Sequence, residues 1–177
     1  MNSFAPIAAL HDEPSLSRIA GTGPLVVDLD HTLVRGDIAV EAMVRIARSG
    51  LGGLIALLVV CCKGRAAVKS WLARRAPVDA SALAYDPAVL ALIADARAAG
   101  RSVILATAAH WRTAHRVAAH LGLFDQIIAS SARSNRKGLA KLAAIRALLG
   151  DTPFDYVGDS SADRPIWQTA AVAYTVD

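Results

Sequence analysis

Short continuous apolar runs that alternate with helical patterns are the feature that most constrains the fold of this chain. Such runs are typical of strands buried on both faces of a parallel sheet, because a strand with one wet face alternates apolar and polar residues. Repeated β-α-β alternation favours right-handed crossovers. The sequence therefore predicts an α/β fold with a doubly wound parallel sheet. Its five predicted strands are residues 25–27, 103–106, 127–129, 154–157 and 172–175.

Helix start and stop signals lie between these runs. An aspartate-proline pair at 86–87 is an N-cap with proline at the first helical position, and Gly100 marks the end of that helix. Helical patterns also cover residues 110–121 and 137–149, and a glycine follows each of them. A shorter helix is expected after Ala162. These helices would supply the crossovers of the sheet.

The interval between the first and second predicted strands breaks the alternation. Residues 37–82 carry helical patterns without a strand signal, which predicts a small helical cap inserted between two core strands. The core would then comprise residues 24–36 and 83–177. Residues 1–23 would form an irregular or short helical lead-in that ends in a glycine- and proline-rich break.

Composition narrows the class of protein. The chain has 177 residues, of which 54% are apolar and 19% charged, so it is not an intrinsically disordered protein. Aromatic residues make up only 5%, which is too few for a base-stacking binder, and no nucleic-acid partner is expected. Cys61 and Cys62 are neighbours without metal-ligand spacing, as in a reducing compartment. The apolar stretch 51–62 is shorter than the roughly 20 residues of a membrane span. A cytoplasmic protein is therefore expected.

Polar side chains follow several of the predicted strands or precede the next helix. Six share such a position: Asp28, Asp30, Thr107, Lys137, Asp159 and Asp163. In a doubly wound sheet, ligands bind beyond the carboxyl ends of the strands, so these groups are expected to converge. Helix caps and turns are the alternative use of these aspartates. Convergence of several strand ends favours a functional site over that alternative.

Four clustered carboxylates need a cation. Two of them about 4 Å apart repel by about 4 kcal/mol at an effective dielectric of about 20. Hard oxygen ligands in a partly open site suit Mg²⁺, which keeps some of its waters and accepts substrate phosphate. Thr107 and Lys137 would supply hydrogen-bond donors to that phosphate. The sequence thus predicts a magnesium site that binds a phosphorylated small molecule.

In their order and strand context, these residues resemble the four motifs of the haloacid dehalogenase superfamily of phosphotransferases. The matching segments are residues 26–33, 104–107, 137–138 and 158–163. The resemblance covers residues 24–177. It implies a Rossmann-like core with a small helical cap, a Mg²⁺ cofactor and transfer of a phosphoryl group.

The resemblance also implies a role for each residue. Asp28 would be the nucleophile that forms an aspartyl-phosphate, and Asp30 would protonate the leaving oxygen and later activate water. Thr107 would bind phosphoryl oxygens, and Lys137 would neutralise charge between nucleophile and phosphate. The implied metal ligands are Asp28, Asp30 through its backbone carbonyl, Asp159 and Asp163.

The residue at position 30 differs between branches of the superfamily. Its transport ATPases carry threonine there and its dehalogenases lack the aspartate, so Asp30 favours a phosphatase or a phosphomutase. His31 departs from the pattern, since many members have glycine there, and we interpret it as a tolerated turn residue. The favoured function is a Mg²⁺-dependent phosphatase. A phosphomutase and a non-catalytic docking domain remain open as alternatives.

The predicted cap combines an apolar block at 54–60 with a basic run at 63–75. This pattern is typical of an interfacial helix at an anionic membrane. It is equally typical of a core helix whose neighbouring arginines extend to solvent. Both alternatives remain open from the sequence alone.

A narrower resemblance concerns the substrate. The segments 63–69, 84–87, 105–108, 120–125 and 155–160 resemble the corresponding domain that is fused ahead of UbiA-type prenyltransferases in many bacteria. The resemblance implies a lipid-linked sugar phosphate as substrate, such as a polyprenyl-phosphoryl phosphopentose. It also implies a UbiA-type prenyltransferase as partner and peripheral contact of the cap with the inner face of the membrane.

Overall fold

A computed structural model describes residues 7–9, 21–131 and 134–176 of the chain, and the fold is a single parallel sheet with helices on both faces. The strands are β1 (Ile7–Ala9), β2 (Leu25–Val27), β3 (Val103–His110), β4 (Gln126–Ser130), β5 (Asp155–Gly158) and β6 (Val172–Thr175). Their order across the sheet is β1-β6-β5-β2-β3-β4. The predicted α/β fold with a doubly wound parallel sheet is therefore confirmed.

Seven helices accompany the strands in the described part of the chain. They are α1 (Ile38–Ala47), α2 (Leu51–Cys61), α3 (Arg65–Arg75), α4 (Pro87–Ala98), α5 (Trp111–Leu121), α6 (Leu139–Leu149) and α7 (Arg164–Trp167). Single 3₁₀ turns at Ala80–Ala82 and Ser161–Asp163 precede α4 and α7. The predicted crossover helices therefore exist, and they connect the strands in the predicted order.

Strand β2 lies at the centre of the sheet, and its neighbours bring the strand ends together. Val27 is in register with Leu105 of β3 on one side and with Val157 of β5 on the other. All three strands run in the same direction, so the residues that follow them lie at one edge of the sheet. The predicted site residues after β2 and β5 therefore lie at this edge, whereas Thr107 lies inside β3, three residues before its end.

The side chains of β2 divide between two apolar layers, as the period of two in a strand requires. Leu25 and Val27 pack in the layer that contains Ile93 of α4. Val26 packs on the opposite face, in the layer that contains Ile145 of α6 and Ile166 of α7. All three β2 residues are completely buried. This burial on both faces explains why the strand is a continuous apolar run in the sequence.

Several elements differ from their predicted bounds. The strand predicted at 103–106 continues to His110, so Thr107 lies inside it instead of after it. The helix predicted from residue 137 begins at Leu139, because Gly138 has a φ of 57°, which is not a helical conformation. Within the predicted lead-in, Ile7–Ala9 form a sixth strand that pairs with β6, where no strand was expected. The rest of the lead-in up to residue 20 lies outside the described residues.

Helices α1, α2 and α3 form the segment between β2 and the 3₁₀ turn that precedes α4. They share a small apolar cluster built on Ala42 and Ile46 of α1 and Leu72 of α3, with Leu57 of α2 packed against it. This cluster is separate from the two layers on the sheet. A cap with the limits 37–82 stays a prediction. In the part of the chain that the structure describes, no helix is long and apolar enough to cross a membrane.

A buried ion pair joins the beginnings of β3 and β5. Arg101 Nη2 lies 2.5 Å from Asp155 Oδ2, and Arg101 Nε donates to the carbonyl of Gly23 at 2.6 Å. Both side chains are almost fully buried. The pair therefore anchors the edge of the sheet opposite the predicted site.

Replacing Arg101 with methionine should destabilise the fold by about 3 kcal/mol, because it leaves the Asp155 carboxylate buried without its partner. Urea unfolding followed by circular dichroism measures the change. The double variant Arg101→Met/Asp155→Leu removes both charges and should recover part of the loss. If the single variant unfolds at the same urea concentration as the unmodified chain, the pair is not an anchor.

Candidate active site

A cavity of about 180 Å³ opens at the carboxyl edge of the sheet. Five of the six predicted site residues line it, namely Asp28, Asp30, Lys137, Asp159 and Asp163. Its wall also includes Asp37 and Lys69 from the helical segment between β2 and α4. The cavity therefore lies between the sheet and this segment, and both contribute charged groups to it.

Three of the predicted metal ligands converge on one point. Asp28, Asp159 and Asp163 each offer a carboxylate oxygen, and these oxygens all lie within 4.8 Å of one another. Asp28 and Asp163 are buried, whereas Asp159 is half-buried. Buried carboxylates at this separation repel strongly unless a cation lies between them. The donor set consists of hard oxygens and fits Mg²⁺.

Gly158 makes room for this cluster at the end of β5. A Cβ at this position would lie 2.7 Å from the Tyr156 ring and 2.9 Å from Asp163 Oδ2. Any side chain would therefore force the Tyr156 ring or the Asp163 carboxylate to shift. This close approach explains the glycine that stands directly before Asp159 in the sequence.

The lysine that contacts Asp28 in the structure is Lys141, whereas the motif resemblance implied Lys137. Lys141 Nζ lies 2.9 Å from Asp28 Oδ2 and 3.1 Å from Asp163 Oδ1, and it donates to the Tyr156 hydroxyl at 3.0 Å. Its side chain is 2% exposed, whereas Lys137 is exposed at the rim of the cavity. Lys137 precedes α6, while Lys141 lies on the inner face of the helix, one turn before Ile145.

A sequence signal for Lys141 exists, and the motif-based interpretation missed it. Lys141 and Ile145 are four residues apart and are the two buried residues of α6. A lysine in register with the apolar stripe of a helix is unusual, because a buried ammonium needs partners. Here the partners are the carboxylates of Asp28 and Asp163.

Burial and neighbouring charges shift the pKa values of Asp28 and Lys141. Loss of hydration, assisted by the nearby Asp163, raises the pKa of Asp28 to about 7 against the opposing charge of Lys141. Burial alone would lower the pKa of Lys141, but the charges of Asp28 and Asp163 outweigh it and raise the pKa. Lys141 is therefore a fixed positive charge against Asp28.

The Asp30 carboxylate lies on the other side of the cavity, near the first turn of α1. Its Oδ1 accepts a hydrogen bond from the backbone N–H of Ile38 at 3.1 Å. Burial raises the pKa of Asp30, and the neighbouring Asp37 adds to the rise, although the bond from Ile38 opposes it. Asp30 is not one of the three clustered carboxylates in the described residues. A role of its side chain in proton transfer stays a prediction.

His31 occupies a strained turn between Asp30 and the residues that follow. Its φ is 57°, in the left-handed region that favours glycine. It is the one non-glycine residue with a positive φ in the described chain. This conformation explains why glycine suits the position, and it supports the interpretation of His31 as a tolerated turn residue.

Thr107 lies next to the cavity without lining it. It is fully buried, and its Oγ1 accepts a hydrogen bond from the backbone N–H of Ala109 at 2.9 Å. The following residue, Ala108, lines the cavity and accepts a hydrogen bond from Lys69 Nζ at 2.7 Å. Thr107 therefore lies within β3, directly before the cavity-lining Ala108, and its contact with a phosphoryl group stays a prediction.

The chain matches one protein family and has a curated relative. The model of the haloacid dehalogenase-like hydrolase family matches residues 25–168. An uncharacterized protein, y4nM of Sinorhizobium fredii (strain NBRC 101917 / NGR234), is 38% identical over 153 residues. That match covers 86% of this chain and 30% of the relative. The chain thus spans less than a third of the length of this curated relative.

Solved structures resemble the fold at low identity. CbbY from Rhodobacter sphaeroides in complex with phosphate has a TM-score of 0.59 and 17% identity, over 87% of this chain and 85% of that chain. A probable phosphoserine phosphatase from Vibrio cholerae has a TM-score of 0.60 and 14% identity, over 86% of this chain and 55% of that chain. At this level of identity the likeness shows the fold alone.

Replacing Gly158 with alanine should weaken Mg²⁺ binding by roughly tenfold or more, because the new Cβ crowds the Tyr156 ring and the Asp163 carboxylate. Titration calorimetry with MgCl₂ measures the affinity, and circular dichroism checks that the variant is folded. Gly52→Ala is the matched control, since a Cβ there meets nothing within 4 Å. Equal affinities of the Gly158 variant and the unmodified protein would contradict the assigned site.

Proposed function

The chain belongs to the haloacid dehalogenase-like hydrolases, and we propose that it is a Mg²⁺-dependent phosphatase that works through an aspartyl-phosphate on Asp28. One observation carries the proposal. The Asp28 carboxylate lies at the end of the central strand, where the Lys141 ammonium contacts both it and Asp163, and Asp159 completes the cluster of three carboxylates. A nucleophile, a fixed cation and a metal-binding set thus meet in one cavity.

The contacts of Asp28 suit a nucleophile. Oδ1 accepts the backbone N–H of Leu29 at 2.8 Å, and Oδ2 contacts Lys141 at 2.9 Å. These two contacts fix the orientation of the carboxylate, as in-line attack requires. A carboxylate oxygen forms a bond to phosphorus while the bond from phosphorus to the leaving oxygen breaks. The product of this step is the aspartyl-phosphate.

Asp30 suits the role of acid and base in the two steps. Its raised pKa helps the carboxyl to hold a proton that it donates to the leaving oxygen. In the second step the carboxylate accepts a proton from water, and the water oxygen bonds to phosphorus. The bond between phosphorus and Asp28 then breaks, which releases inorganic phosphate and restores both aspartates.

The proposed cofactor balances the charge of the site. The three clustered carboxylates carry three negative charges, and Lys141 carries one positive charge. Asp28, Asp159 and Asp163, together with the backbone carbonyl of Asp30, would hold Mg²⁺. When bound, the ion neutralises negative charge on the substrate phosphate.

Three further groups would serve the substrate phosphate. Lys141 stabilises the charge that develops near Asp28, in the role that the motif resemblance assigns to Lys137. Lys137 lies at the rim, where its ammonium would attract a dianionic phosphate. Thr107 accepts a hydrogen bond from Ala109 through its oxygen, so its own O–H proton remains able to donate to a phosphoryl oxygen.

We further propose a lipid-linked sugar phosphate as the substrate class. Its support is the helical segment that borders the cavity, because α3 contributes Lys69 to the wall and α2 presents apolar side chains to solvent. A polyprenyl-phosphoryl phosphopentose fits this class. Partnership with a UbiA-type prenyltransferase and a place at the inner face of the membrane stay predictions, as does cytoplasmic localisation.

Replacing Asp28 with asparagine should lower the hydrolysis of an aryl phosphate in the presence of Mg²⁺ by roughly a thousandfold or more, because the nucleophile is lost. Release of inorganic phosphate measures the rate. Asp151→Asn makes the same chemical change on the surface and should leave the rate unchanged. Full turnover by the Asp28 variant would exclude the aspartyl-phosphate, and an isomer in place of free phosphate would identify a mutase.

The two lysines should differ in the same assay. Lys141→Met should lower the rate by roughly a hundredfold, because it removes the cation that faces Asp28. Lys137→Met should cost less than about tenfold, because the exposed ammonium acts through solvent. Thermal unfolding followed by circular dichroism shows whether each variant is folded. A larger loss for Lys137 would restore the role implied by the motif resemblance.

The substrate class can be tested by comparing kcat/KM for a polyprenyl-linked sugar phosphate with that for the free sugar phosphate. The lipid-linked compound should be hydrolysed at least about tenfold faster, because remote binding energy contributes to turnover. Detergent at the same concentration in both reactions is the control. Equal values would remove the lipid from the proposal and leave the phosphatase intact.

A further inference from the structure

Helix α2 presents its most apolar side chains to solvent. They follow the spacing of one helical face and are between 41% and 73% exposed: Leu51, Leu54, Ile55, Leu58 and Val59. The face has no charged side chain, and the exposed Cys62 thiol at its end donates to the carbonyl of Leu58 within the same helix. A contiguous apolar face of this kind marks an interaction site in a folded protein.

The packing of α2 fixes which face is outside. A Cβ on Gly53 would collide with the carbonyl of Ile46 and with the Ser49 side chain, so the helix approaches the end of α1 most closely at this glycine. Leu57 and the buried Val60 lie on the inward side, and Leu57 packs against the small apolar cluster of the helical segment. Rotating α2 to hide its outer face would remove this contact. The exposure therefore follows from the packing of the segment.

Positive charge lies beside this apolar face. A groove of about 540 Å³ runs along α1, α2 and α3, and its walls include Arg45, Arg75 and Trp71. Both arginines are exposed. Residues 38–76 contain seven basic residues and a single acidic one, Glu41. An anionic group that enters the groove would meet two guanidinium groups and little opposing charge.

We propose that the outer face of α2 and the arginine groove together form a docking surface for an anionic lipid bilayer. The apolar side chains enter the boundary between headgroups and acyl chains, while Arg45 and Arg75 bind lipid phosphates. The helix is about 16 Å long, so it lies along the surface instead of crossing it. Its biological use rests on the proposed lipid-linked substrate, whereas bilayer binding itself needs no catalysis.

The chemistry of the surface favours a bilayer over a protein. Protein interfaces average about one hydrogen bond per 100–200 Å² and are enriched in aromatic residues, whereas the α2 face consists of Leu, Ile and Val side chains with two exposed cysteines at its end. A second copy of the chain on this face would bring basic segments of equal sign together, which is unfavourable. Acyl chains need no hydrogen bonds, and anionic headgroups complement the arginines.

The docking surface is connected to the catalytic cavity through α3. Lys69 lines the cavity and Arg75 lines the groove, and the two residues are roughly 9 Å apart along the helix axis. A bilayer that contacts the groove would therefore lie near the cavity. This proximity suits a substrate whose phosphate leaves the membrane surface while its lipid stays in it.

Flotation of the complete 177-residue chain with vesicles tests the proposal. Vesicles of phosphatidylcholine mixed with phosphatidylglycerol should bind the protein, and pure phosphatidylcholine should bind it several times more weakly. Binding should weaken as salt is raised, because salt screens the arginines. Ile55→Gln/Leu58→Gln should reduce binding by roughly tenfold or more, since two apolar side chains no longer enter the bilayer. Arg45→Gln should reduce it roughly fivefold, and only on the anionic vesicles.

Matched substitutions elsewhere serve as controls. Leu148→Gln changes an exposed leucine of α6, and Arg116→Gln changes an exposed arginine of α5. Both should bind vesicles as the unmodified chain does. All the variants should hydrolyse a soluble aryl phosphate at the unmodified rate, which separates loss of docking from loss of the proposed phosphatase.

Three results would overturn the docking surface. The first is an absence of binding to either kind of vesicle. The second is binding that the α2 double variant leaves unchanged. The third is a lipid-free dimer, seen by sedimentation, that the double variant dissociates, because the face would then join two copies of the chain. Vesicle binding by a protein without phosphatase activity would support the docking surface and count against the proposed function alone.

Discussion

The contact of the Lys141 ammonium with two buried carboxylates is the interaction on which the rest of the site depends. Asp28 comes from the end of β2 and Asp163 from the turn after β5, and Lys141 joins them from α6. Without this cation, two aspartates in nearly dry surroundings would repel or take up protons. The lysine therefore permits the acidic cluster to form, and under the proposed function it would also supply positive charge beside the nucleophile.

The sheet accounts for the meeting of these residues from distant parts of the sequence. The parallel register of β2 with β3 and β5 carries three chain segments to a common edge. The buried pair of Arg101 and Asp155 holds the opposite edge. One end of the sheet thus contains a buried ion pair, whereas the other concentrates negative charge around a cavity. A fold with this division provides rigidity and reactivity in separate places.

Much of the fold was predictable because buried strands and helix caps have local signatures. The run Leu25–Val27 and the cap at Asp86 depend on neighbours in the sequence, and the structure contains both. The choice between Lys137 and Lys141 was different, because Gly138 shifts the start of α6 and decides which lysine faces inward. The strand at Ile7–Ala9 was also missed, since its pairing with β6 depends on residues far along the chain.

The exposure of the apolar block in α2 was likewise not predictable from the sequence. Periodicity could not decide whether its leucines face a core or the solvent, and the close approach of α2 at Gly53 decides it.

The position of Lys141 has a wider consequence. Because Lys141 belongs to a helix that Ile145 holds against the sheet, damage to the apolar layer beneath α6 would displace the cation that we propose for catalysis. Under that proposal, evolution can tune the reaction rate by repacking hydrocarbon far from any reacting atom.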